Sequence, residues 1–176
     1  MCAAGLNGEP RYHRGMYLNA LEFLEEEREA FRPFEALTGV PDDRVDVPVP
    51  AAHDWTARDL MSHVAAWLEA GLTVARELAV RETSPTKERL DREWDERGDA
   101  INLDIQVEWR ALPIDEVRRR FEAVPGELRG TLTVVPESRW LKNGDMLRYF
   151  LDETIDHYAD HRGDLEAILA AAGATA

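Results

Sequence analysis

The sequence predicts an all-α protein, a four-helix bundle with an extra helical excursion between the second and third bundle helices. Three observations predict it. Apolar residues recur at the three- and four-residue spacing of amphipathic helices through four long stretches. N-cap residues, prolines and glycines punctuate those stretches. The one alternating apolar run, Val45, Val47 and Val49, has no second strand to pair with.

The first predicted helix runs from Tyr12 to Leu37, with Met16, Tyr17, Ala20, Leu21, Phe23, Leu24, Phe31 and Phe34 on its apolar side and Pro33 placed to kink or end it. Thr38 to Trp55 holds Gly39, Pro41, Pro48 and Pro50 and reads as a loop. Thr56 is a good N-cap for the second helix, and Asp59 suits its positive end. Leu60, Val64, Trp67, Leu68, Leu72, Val74, Ala75 and Leu78 form that helix's stripe. Ser84-Pro85 opens the excursion as a cap followed by proline. Thr86 to Trp109 is highly charged and reads as a partly exposed helix or helix pair, broken near Gly98. A helix starting at Pro113 carries Ile114, Val117, Phe121, Val124, Leu128 and Leu132, and Pro125-Gly126 predicts a kink or break in it. The last helix is expected to run from about Asp145 to Ala172, stopped by Gly173. No internal repeat is present, so residues 1–176 are read as one helical-bundle domain, with residues 1–11 expected to be a disordered tail.

Charge narrows the partners. Lys and Arg number 21 against 35 Asp and Glu, a net charge of −14. Such a surface repels phosphate backbones and anionic membranes, so neither nucleic acid nor membrane is an expected partner. No apolar stretch reaches the length of a membrane span, and no secretory signal is recognisable, so a cytoplasmic location is expected. The lone cysteine, Cys2, excludes an intrachain disulfide and a four-cysteine zinc site.

The chemistry rests on three of the five histidines. His157 and His161 are four residues apart on the predicted last helix, which places their side chains on nearly the same face, about 6 Å apart along the axis. They continue the inward stripe Phe150, Thr154, His157, His161, Leu165, Ile168. His63 interrupts the apolar stripe of the second helix in the same way, between Leu60, Val64 and Trp67. One inward histidine alone is explained by a hydrogen bond to a carboxylate or hydroxyl. Polar rings are costly on an apolar face unless partnered, and three converging from two helices of one bundle can satisfy each other through an ion. Three nitrogen ligands leave a coordination position open, as in catalytic zinc sites. Imidazole suits zinc, nickel, copper or iron, and availability favours zinc. Glu153, Thr154, Asp160 and Asp164 lie within one turn of a ligand and are candidates to orient one; Trp67 is a candidate to line a pocket. His13 and His53 have no partner at useful spacing and are given no role. Phosphate-binding loops and the Gly-x-Ser-x-Gly elbow are absent.

Two segments carry a resemblance. Trp55-Thr56-Ala57-Arg58-Asp59-Leu60-Met61-Ser62-His63-Val64-Ala65-Ala66-Trp67 resembles the second-helix signature of the DinB-like superfamily, and Glu153-Thr154-Ile155-Asp156-His157-Tyr158-Ala159-Asp160-His161 is similar to its last-helix signature. The resemblance implies a four-helix bundle with a divalent metal, often zinc or nickel, held here by His63, His157 and His161. It further implies kinship with thiol-dependent transferases and mycothiol-dependent maleylpyruvate isomerases. In those isomerases the first member of the last-helix pair is typically Glu, where this chain has His157. A related branch, the colibactin self-resistance cyclopropane hydrolases, has a similar tryptophan-led second helix and implies metal-free chemistry as an alternative.

The expected function is that of a divalent-metal-dependent enzyme, a transferase, isomerase or hydrolase acting on a small molecule, with any nucleophilic thiol supplied by a small-molecule cofactor. Two alternatives stand beside it: a metal-free small-molecule-binding or toxin-resistance protein, and a structural bundle forming a homodimer through apolar helix faces.

Overall fold

The computed structural model describes residues 17–173; the expected tail over 1–11, and Cys2 and His13, lie outside them. Within the described residues the chain is all-α, with no strand. Val45 to Val49 makes no sheet, and its only β contact is a single antiparallel bridge from Val49 to Trp55.

The first bundle element, α1, spans Ala20–Phe31, capped by the Asn19 side chain, which accepts from the Leu21 and Glu22 amides. It is shorter than the periodicity suggests. At Pro33 the chain tightens into a 3-10 helix over Arg32–Gly39, because proline suits a first turn but cannot donate to a continuing α-helix. The second, α2, spans Ala57–Val80; Thr56 caps it as expected, and Asp59 does more than suit the helix end, closing a reciprocal capping box with Thr56.

The excursion is a helix pair, α3 (Pro85–Arg97) and α4 (Ala100–Arg110), broken at Gly98. Gly98 has φ +51°, which only glycine adopts freely. Charged ties hold the pair to the bundle. The buried Lys87 ammonium donates to Asp91 at 2.8 Å and faces Asp145 at 3.1 Å, and Arg110 pairs in a fork with Asp59 at 2.9 and 3.0 Å.

The third bundle helix, α5, spans Ile114–Leu132 and passes through Pro125 without ending, so of the expected kink or break there is no break. Proline inside a helix costs roughly 3 kcal/mol. Val117, Phe121, Val124, Leu128 and Leu132 are all buried along this helix, whose main partner is α2. At roughly 1.5–3 kcal/mol for each fully buried side chain, that face outweighs the lost bond.

The last bundle segment departs most from expectation. Instead of one helix it is three: α6 (Gly144–Glu153), α7 (Ile155–Asp160) and α8 (Arg162–Ala172). Thr154 leaves the helical region at φ −128°, ψ −95°, and His161 at φ −91°, ψ 7°. The Thr154 hydroxyl donates to the Phe150 carbonyl at 2.5 Å, a local alternative to the regular backbone ladder. Phe23, Phe31, Leu60, Leu68, Phe121, Phe150, Tyr158 and Leu165 meet in one apolar core spanning all four bundle elements. No described helix is long and apolar enough to cross a membrane.

Candidate metal centre

The interruptions of the last segment bracket the site. His157 sits in the short α7, His161 at the junction with α8, and His63 on the second turn of α2. The structure brings the three together. The Nε2 atoms of His63 and His157 are 2.9 Å apart, the ring centres are 4.8 to 4.9 Å apart pairwise, and one ligand atom from each residue lies within 4.8 Å of the others. Zn–N bonds of about 2.0–2.1 Å set neighbouring nitrogens of a tetrahedral site about 3.3 Å apart, a spacing that lies between the 2.9 Å pair and the 4.8 Å limit of this cluster. No other described group of three His, Cys, Asp or Glu side chains has this proximity.

Electrostatics suits ligation. His63 and His157 are 1% and 0% exposed. Burial pushes the His63 imidazole down to about 3, helped by the nearby His161, and burial with the two neighbouring imidazoles holds His157 well below the ordinary histidine range. Both rings are therefore neutral at physiological pH, the form that binds a metal. The His63 Nδ1 has no hydrogen-bond partner among the described residues.

His161 is different. Its side chain is 14% exposed, and its Nδ1 lies 2.9 Å from an Asp164 carboxylate oxygen. A proton on Nδ1 shared with that carboxylate leaves the Nε2 lone pair for the cluster, the orientation that second carboxylates impose on ligating histidines. Asp164, three residues on, was therefore legible as a carboxylate within one turn.

The other named residues are placed as follows. Thr154 is buried and bonded to the Phe150 carbonyl, not to a ring nitrogen. Glu153 is buried on the turn before His157, and burial raises its carboxyl above the usual range. Asp160 is exposed. Trp67 faces the excursion: its indole N–H donates to Asn102 at 3.1 Å, and its ring meets Trp94 edge to face.

Trp55 belongs to the site although helical periodicity does not reveal it. Its ring stacks on His161 at 5.3 Å and 24°, and meets His63 edge to face at 5.0 Å. Its only signal in the sequence is that it opens the second-helix motif; the loop that folds it back carries no helical period. His53, given no role, is exposed with Nε2 3.9 Å from the other Asp164 oxygen.

A helical bundle with three convergent imidazoles defines a class, a histidine-lined helix-bundle protein of the DinB-like superfamily. Residues 24–162 match the family of the mycothiol maleylpyruvate isomerase N-terminal domain, and the chain belongs to that family. No curated protein and no solved structure matches it.

Proposed function

We propose that this protein is a divalent-metal-dependent enzyme acting on a small molecule, with His63, His157 and His161 as the ligands and zinc or nickel as the ion. The observation that carries the reading is the mutual approach of three imidazoles from two separate bundle elements, two of them buried and held neutral. A divalent ion there supplies Lewis-acid chemistry, lowering the pKa of a bound water or small-molecule thiol, or polarising a substrate carbonyl. The family supports a thiol-dependent transferase or isomerase as the reaction class, with hydrolysis as the alternative.

The chain's own residues divide the remaining work. His63 and His157, packed in the core, give a dry floor with fixed rings. Asp164 holds the His161 proton on Nδ1 and keeps its Nε2 turned inward. Because His161, Asp164 and Trp55 are only partly buried while the other two ligands are sealed, substrate approaches from the side of the turn before α2 and the start of α8.

One observation favours a second reading. The 2.9 Å contact between the two Nε2 atoms also suits a shared proton, as in a metal-free polar pocket for small-molecule binding. Elemental analysis of untagged protein and its His161→Ala variant separates the two. Metal near one equivalent in the parent, and lost in the variant, is the expected result; near-zero metal in both defeats it. Chelation should also lower the melting temperature, since an ion bound only to the native state contributes about 3–4 kcal/mol at 100–1,000 times Kd.

A further inference from the structure

Two adjacent non-glycine residues, His53 and Asp54, have left-handed backbones, at φ 56° and 62°. They are the only described non-glycine residues with positive φ. Such a conformation is disfavoured for a residue with a side chain and persists where the surroundings impose it. Here the surroundings are a closed turn. Pro50–Ala52 is a single 3-10 turn packed against α8. The amides of Val49 and Asp54 donate to the carbonyls of Trp55 and Val49, both at 3.1 Å, and the Trp55 amide donates to Ala52 at 2.9 Å. The product of this closure is the position of the Trp55 ring, flat against His161 and edge-on to His63.

His161 is the ligand that needs such help. It lies at a helix break, it is the least buried of the three, and among the described residues Asp164 alone fixes its ring within the plane. A hydrogen bond at Nδ1 sets where the ring points but leaves it free to tilt; a flat partner against its face removes that freedom.

We propose that Trp55 is a positioning residue for the third ligand, and that the left-handed turn at His53 and Asp54 is the device that delivers it. This inference rests on the three-histidine metal reading. The turn works through its backbone. Glycine at 54 adopts the left-handed conformation without cost and preserves the device, whereas a β-branched residue there opposes it.

The test is titration of chelator-treated protein with cobalt(II), followed by the cobalt absorption spectrum and by tryptophan fluorescence. The parent binds one cobalt with tetrahedral-type absorption and quenched emission. Trp55→Phe keeps a ring on His161, so it retains affinity within about threefold while losing most of the quench. Trp55→Ala and Asp54→Val bind about tenfold or more weakly, the size of effect seen when a group orienting a ligand is removed. Asp54→Gly binds as the parent does. Equal affinity in the parent and Trp55→Ala overturns the positioning role while leaving the metal site standing. Absence of cobalt binding in the parent itself overturns the metal reading, and this inference with it.

Discussion

The second helix and the last bundle segment each bring histidine to the same point, and they do it by opposite means. The second runs unbroken over 24 residues, capped reciprocally at its start, and His63 holds its place because the whole helix is regular and buried against α5. The last segment breaks on both sides of His157, leaving a six-residue piece with no side-chain cap. Its position is set from outside. Tyr158, beside His157, donates to Glu27 at 2.9 Å, and Glu27 in turn accepts from Arg129 at 2.8 Å. Glu27 is 1% exposed, and burial raises its carboxyl despite the guanidinium next to it. One histidine rides on secondary structure; the other depends on tertiary anchors reaching from α1 and α5.

If that contrast is right, the largest effect comes from cutting the anchor. Arg129→Ala leaves Glu27 buried without its cation and should destabilise the fold by about 3–5 kcal/mol in urea unfolding. A loss under 1 kcal/mol would mean that the last segment needs no such anchor.

Acid should come next, and it acts on both elements at once. In chelator-treated protein His63 is held down to about 3, while its unfolded imidazole takes a proton near 6.5. Between those values the unfolded state binds more protons, so this contribution is complete above pH 6.5 and is lost as pH falls through the window. From pH 6.5 to 5 the loss is about 2 kcal/mol from His63 alone. His157, shifted in the same direction, adds to it. Unfolding free energies at the two pH values check this, and His63→Gln should flatten the dependence.

A smaller change tests the break itself. Thr154→Val keeps the shape but removes the hydroxyl that caps the Phe150 carbonyl, and should cost about 1 kcal/mol, read as a shifted urea midpoint. The smallest effect is one of dynamics. Amides next to Thr154 and His161 should exchange hydrogen faster than those in the middle of α2, by native-state exchange, because the regular ladder is interrupted there.

Much of the bundle was readable before any coordinates. Thr56 with Asp59, Ser84 with Pro85, and Gly98 mark their boundaries through capping chemistry and backbone freedom, which act over a few residues and are written locally. The inward faces of α2 and α5 follow from apolar period alone. At Pro125 a local breaking tendency yields to a long buried face, and in the last segment an uninterrupted period hides two breaks. Periodicity records which side of the chain is buried; it carries no record of backbone continuity.

The candidate site divides along the same line. That His63, His157 and His161 point inward is a property of the chain, because polar rings within apolar stripes are visible in one dimension. That their nitrogens meet, that Asp164 is the carboxylate on His161, and that Trp55 covers its face depend on contacts between segments far apart in sequence. Stripes assign a side chain to the core, whereas only packing decides which neighbours it finds there.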